Sequence, residues 1–270
     1  MTGETMVHEV YTLRRGGSAL VVSMPHCGTG LFDGLEARLT PEALDLADTD
    51  WHIPELYDFA AAFDATIIAA RLSRYVVDLN RPSSGESLYP GQATTGLCPT
   101  TLFDGRPLYL AGAEPDAAEI AGRVASYWQP YHAALAAELD RAKAAHGRAL
   151  LWDAHSIRGV VPRLFEGRLP DLNIGTAHGA SMSPDRRARV AAAAEAAAGA
   201  AGYGHVVDGR FVGGHITRSY GRPDQGVEAI QMELVQETYM EENGPPFSFL
   251  PERAARIRPV LKAVMAAFIG

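Results

Sequence analysis

The sequence predicts an α/β fold, a sheet flanked by helices, in a single domain spanning 1–270. Three observations carry that expectation. At 270 residues and 47% hydrophobic, the chain can bury one large core of a size that α/β domains often reach. Short apolar runs, ATIIAA at 65–70, ALLW at 149–152 and AIQMELV at 229–235, have the length and composition of buried strands. Alternating with them are longer segments whose apolar residues recur at helical spacing.

Taken in order, Val7 to Leu13 and Ala19 to Met24 read as two strands joined by a turn at 14–18, where Gly16 and Gly17 permit a tight reversal. The second strand delivers Pro25, His26, Cys27 and Gly28. A His between an apolar strand and a glycine-rich turn can point into a crevice as a metal ligand, although a core or turn-capping His fits the same pattern. LADTDWHIPELYDFAAAF predicts a helix with Ile53, Leu56, Tyr57 and Ala60 as its apolar face. Asp48 or Asp50 ahead of it is either a helix cap or a carboxylate ligand.

After the strand at 65–70 comes SRYVVDLNRPSSGE, where Val76, Val77 and Leu79 predict a strand that Pro82 and the following small residues end. Asn80 and Arg81 then stand at a strand terminus, and an Arg fork beside an Asn amide suits a carboxylate. Ion pairing of Arg74 and Arg81, with Asp78 among the partners, is the alternative. Residues 84–103 show no apolar period and read as a long functional loop.

Helical spacing through Ile120, Val124, Trp128, Tyr131, Leu135 and Leu139 predicts a helix within 113–146, with Pro130 as a kink and Gly147 as its end. The strand at 149–152 ends in Asp153, Ala154 and His155, a second His at a strand end. Residues 161–181 read as loop, with Asp171, Asn173 and His178 as polar candidates. The helix at 184–200 has Pro184 in its first turn and Gly202 after its end. Val206 and Val207 open a short strand, and GGHITRSYG follows, its glycines serving either a close backbone approach to a ligand or a hairpin. In AIQMELV, alternation puts Gln231, Glu233 and Val235 on one face. A carboxylate inside a strand is costly unless paired or used, which makes Glu233 the candidate general base. The last segment, 252–268, reads as an amphipathic helix packed on the sheet.

A formal charge of -8 and a pI near 5.6 argue against a nucleic-acid surface, so clustered arginines in this acidic chain point to a small anionic substrate. With only Cys27 and Cys98, no disulfide framework is expected. No apolar run is long enough to span a bilayer and the amino end lacks a signal-peptide pattern, so a cytoplasmic location without membrane contact is expected.

The segments MPHCG, DTDW, SRYVVDLNRP, DAHSI, PDLNIGT and QMELVQETYM, spread from Val21 to Met240, resemble the N-formylglutamate amidohydrolase family, whose fold is similar to those of zinc carboxypeptidases and aspartoacylases. DLNRP together with DAHS is the specific part. The resemblance implies a mixed central sheet flanked by helices, zinc-carboxypeptidase-like (phosphorylase/hydrolase-like), and hydrolysis of N-formyl-L-glutamate to formate and L-glutamate in histidine degradation. It implies that His26 and His155 are zinc ligands, that Asn80 and Arg81 bind the substrate α-carboxylate, that Glu233 is the general base and that Arg74 polarises the scissile carbonyl. One departure matters: the wider group has a Glu three residues after its first His, and this chain has Thr29. Asp50 is the expected replacement, with Asp48 and Glu36 as alternatives. A substrate with two carboxylates needs two cationic sites, and Arg218, with His215 nearby, is the expected second. A related zinc-dependent N-acyl-amino-acid amidohydrolase or carboxypeptidase, and a non-catalytic amino-acid-binding protein of the same fold, are the rival functions.

Overall fold

The computed structural model describes residues 5–88, 91 and 93–270. Among these, strands β1 (Thr5–Val7), β2 (Tyr11–Arg14), β3 (Leu20–Met24), β4 (Thr66–Ala70), β5 (Ala149–Ile157), β6 (Leu172–Gly175), β7 (His205–Val207) and β8 (Val227–Val235) form one sheet in the order β1-β2-β4-β3-β5-β8-β6-β7. The central β4, β3, β5 and β8 are parallel, while β2 pairs antiparallel with β4 and β6 antiparallel with β8, so the sheet is mixed. The helices are α1 (Ile53–Leu56), α2 (Ala117–Arg123), α3 (Gln129–His146), α4 (Pro184–Ala201), α5 (His215–Tyr220) and α6 (Pro251–Ile269). No helix among the described residues is long and apolar enough to cross a membrane.

Side chains alternate across a strand, so each central strand feeds two cores. Val22, Met24, Trp152, Ala154, Ile230 and Met232 pack with residues of α1, α4 and α6. Val21, Ala149, Leu151 and Ala229 pack with Tyr131, Leu135 and Leu139 of α3. On this second face the phase stays constant while the chemistry changes. Beyond Leu151 come Asp153 and His155, and beyond Ala229 come Gln231 and Glu233, in register as Asp153 beside Gln231 and His155 beside Glu233. A polar patch is thereby built onto the carboxyl end of an otherwise apolar sheet face.

Several segments differ from the sequence expectation. Residues 11–14 and 20–24 are strands but do not pair, because β4 lies between them; residues 5–14 form the β1–β2 hairpin instead. Gly16 serves a close crossing: a Cβ there would lie 2.0 Å from the Asp64 carbonyl oxygen. Residues 73–81 are successive turns, with Val76 N–H donating to Ser73 O at 2.9 Å and Asp78 N–H to Leu97 O at 2.7 Å. Their strand-like composition reflects burial in the α3-side core, where a buried Val or Leu stabilises by about 1.5–3 kcal/mol without a ladder. The helix within 113–146 is α2, a π-turn at Val124–Trp128 and α3 in succession. Pro130 falls just after the π-turn, whose wider loop accommodates a residue with no amide hydrogen. β5 runs on to Ile157, so His155 lies inside a strand rather than beyond it. The expected loop at 161–181 contains β6, too short to show a period, and GGHITRSYG is α5 with Gly214 at its N-cap, not a hairpin.

Candidate active site

The turn after β3, the turns after β4 and the ends of β5 and β8 meet at the carboxyl edge of the parallel strands, where α/β sheets place their ligands. The cavity there is lined by His26, Asp50, Arg74, Arg81, His155 and Glu233, among other residues.

His26, Asp50 and His155 are all buried, and one ligand atom from each lies within 4.8 Å of the others. Asp50 reaches this position through its backbone N–H, which donates to His26 O at 3.1 Å. Neither Asp48 nor Asp50 caps α1, whose N-cap is His52. Asp48 faces elsewhere, its Oδ2 accepting from Phe103 N–H at 2.8 Å, and Glu36 is exposed. Of the three carboxylates considered for the third ligand, Asp50 is the one brought beside both histidines.

Both rings turn Nδ1 toward Asp50, at 3.7 Å for His26 and 3.0 Å for His155. Their other nitrogens are backed by carboxylates that the sequence reading passed over: His26 Nε2 lies 2.7 Å from Asp78 and His155 Nε2 lies 3.0 Å from Asp153. A ring that ligates through Nδ1 keeps its proton on Nε2, and a carboxylate there fixes that tautomer and raises ligand basicity. Burial, with the Arg74 cation, lowers the pKa of His26 and keeps it neutral. Burial also works against charge on His155, but Asp153 and Asp50 outweigh it and hold its pKa well above the usual value.

This donor set fits a divalent cation. Three carboxylates, Asp50, Asp78 and Asp153, face two imidazoles, with only Arg74 of these groups carrying a fixed positive charge. Asp50 Oδ1 is buried with no hydrogen-bond partner among the described residues. Two nitrogens and a carboxylate, with room for a further ligand, are the protein contribution typical of a catalytic zinc site.

Glu233 lies across from His155 on β8, and burial pushes its pKa up to about 8 against the pull of His155. Gln231 Nε2–H donates to Glu233 Oε2 at 3.3 Å. Arg74 Nη2 is tied to Asp78 at 2.7 Å and its guanidinium lies 4.7 Å from the Phe103 ring centre. Arg74 Nε is a buried donor with no hydrogen-bond partner among the described residues.

Asn80 and Arg81 both line the cavity, in different conditions. The Asn80 amide already braces the site: Oδ1 accepts from Ile216 N–H at 2.8 Å, and Nδ2–H donates to Asp153 Oδ2 at 3.3 Å. Gly214 makes this packing possible, since a Cβ there would fall 2.4 Å from Asn80 Nδ2. Arg81 is anchored on Thr95 through Nε to its carbonyl at 3.0 Å and Nη2 to its hydroxyl at 3.2 Å.

Arg218 and His215 do not join this cavity. Arg218 lines a separate one with Leu88 and Val212, and donates to Gly213 O and Leu88 O. His215 bonds Ser219 and packs against Trp128 and His132. Both lie on α5, the helix that follows the two glycines, of which Gly214 does line the main cavity. Arg210 is the third arginine lining the main cavity, after Arg74 and Arg81, donating to Leu164 O at 2.9 Å and Ala93 O at 3.3 Å. Strand alternation could have flagged Asp153 from His155, two residues on; Arg210 and Asp78 lie outside any period and gave no such signal.

Residues 18–240 match the family model described as N-formylglutamate amidohydrolase. Over 262 residues the chain is 53% identical to an N-formylglutamate deformylase of Pseudomonas aeruginosa, covering 97% of each chain. It is 48% identical to an N-formylglutamate deformylase of Pseudomonas putida, covering 97% of this chain and 96% of that one. In fold it is similar to the crystal structure of N-formylglutamate amidohydrolase from Ralstonia eutropha JMP134, with a TM-score of 0.80 at 21% identity over 96% of this chain and 98% of that one.

Proposed function

The chain belongs to the N-formylglutamate amidohydrolase family, and from that premise we infer that its reaction is the hydrolysis of N-formyl-L-glutamate to formate and L-glutamate. The observation that carries this reading is the convergence, in one cavity, of a His/Asp/His donor set, a carboxylate of raised proton affinity and three arginines.

His26, Asp50 and His155 would hold a divalent cation, which we take to be zinc; when bound it supplies Lewis-acid polarisation and acidifies water. The chain's own groups handle the proton and the charges. Glu233 accepts a proton from the water that adds to the formyl carbon, and delivers it to the amide nitrogen as the C–N bond breaks. Its raised proton affinity suits a group that must hold the proton between those events. Arg74 Nε–H donates to the carbonyl oxygen as that atom gains charge. Arg81 grips the α-carboxylate through its guanidinium fork, with Asn80 bracing the metal-side residues rather than offering a free amide. Arg210 replaces Arg218 in our assignment of the side-chain carboxylate.

Placement in histidine degradation and in the cytoplasm remains part of the proposal, and Cys27 and Cys98 as free thiols are compatible with a reducing compartment. N-formyl-L-glutamate is expected to exceed N-formyl-L-aspartate in kcat/KM by about 10- to 200-fold, the range one methylene commands in a fitted pocket, and to exceed N-acetyl-L-aspartate, which differs by a methylene and an acyl methyl, by more than that. Comparable rates on all three would favour a broader N-acyl-amino-acid amidohydrolase. Binding of N-formyl-L-glutamate without formate release would favour the non-catalytic alternative.

A further inference from the structure

Residues 79–81 lie outside the sheet, so their carbonyls have no strand partners, yet all three are held. His132 Nε2 lies 2.8 Å from Leu79 O, His215 N–H donates to Asn80 O at 3.3 Å and Trp128 Nε1–H donates to Arg81 O at 2.9 Å. Trp128 and His132 stand four residues apart at the junction of the π-turn and α3, on one helix face, with their rings stacked at 3.7 Å. A π-turn is a distortion found frequently at functional sites.

We propose that Trp128 and His132 are positioning residues for substrate recognition: they fix the backbone from which Arg81 reaches the α-carboxylate. This rests on the assignment of Arg81 given above. Leu79 O can only accept, so His132 Nε2 carries the proton and donates to it, and Nδ1, 2.9 Å from the Tyr220 hydroxyl, is the accepting nitrogen. Burial pushes the pKa of His132 down to about 3, so the ring stays neutral and keeps that tautomer. The Trp128 bond sets the plane of the peptide that follows Arg81, and thus the direction in which its side chain leaves the backbone. Neither Trp128 nor His132 lines the cavity, so both act through Arg81.

Trp128→Phe keeps an aromatic ring against His132 and deletes the N–H. KM for N-formyl-L-glutamate should rise about fivefold to tenfold, the loss of one hydrogen bond's worth of orientation, with kcat within about twofold of the parent. Turnover of 4-formamidobutanoate, which keeps the distal carboxylate but lacks the α-carboxylate, should be unchanged. His132→Gln, which can still donate from a similar position, should rescue the KM rise seen in His132→Leu. Equal losses on both substrates, or a loss confined to kcat, would overturn the proposal. Arg81→Lys tests the underlying assignment separately, with an expected loss of roughly thirtyfold or more in kcat/KM on N-formyl-L-glutamate and little on 4-formamidobutanoate. If Arg81→Lys discriminates between the substrates and Trp128→Phe does not, the positioning role alone falls. If Arg81→Lys reduces both equally, the assignment falls and the positioning role with it.

Discussion

Glu233→Gln is expected to lower kcat for N-formyl-L-glutamate by about a hundredfold to ten-thousandfold, with bound metal and KM near their parent values. The amide retains the shape of the side chain and removes only its capacity to accept and carry a proton. The same substitution has a signature in stability. In metal-stripped protein, burial raises the pKa of Glu233 from 4.5 to about 8, so above 4.5 the unfolded chain releases a proton that the folded state retains. Its contribution to stability is therefore fully present below 4.5 and is lost as pH rises through about 8. Thermal melts of stripped Glu233→Gln should lack that decline. Turnover near the parent level would show that another group activates the water.

His26→Ala and His155→Ala should each lose the bound metal and, with it, formate release. His155→Ala also takes from Asp50 the ring that hydrogen-bonds it, at a cost of about 1–3 kcal/mol in folding stability for a buried acceptor left unsatisfied, while Asp153 keeps Ser23 and Asn80 as donors. His26→Ala does the same to Asp78, although Arg74 still holds that carboxylate at 2.7 Å, so its stability loss should be the smaller. Metal content and thermal melting on both variants check the prediction together. Full metal occupancy in both would remove these histidines from the ligand set.

The parts of the fold that were legible in the sequence are those with a local signal. β4, β8, α4 and α6 stand where apolar runs, alternation, Pro184 and Gly202 put them. The stretch around Asn80 and Arg81, singled out for its chemistry, does line the cavity, and was assigned the wrong conformation. Val76, Val77 and Leu79 are buried because α3 and the 97–109 segment cover them, a tertiary cause that local composition cannot separate from strand propensity. Pairing partners were equally hidden. Nothing near Gly16 indicates that β4, some fifty residues on, inserts between β2 and β3. In the site, His26, His155 and Asp50 come together because three segments meet at one edge of the sheet, and the sequence could favour Asp50 only for its place ahead of a helix, with Asp48 and Glu36 as alternatives. Arg218 was offered on motif context, with Arg210 not considered; Arg218 lines the second cavity alone, whereas Arg210 stands in the wall of both.

Formate released from N-formyl-L-glutamate by protein stripped of metal, before and after addition of one equivalent of zinc per chain, tests metal-assisted deformylation at this site most directly. The expected result is loss of formate release on stripping and its recovery at one equivalent in the parent, with no recovery in His155→Ala. Undiminished formate release from fully stripped protein would contradict it.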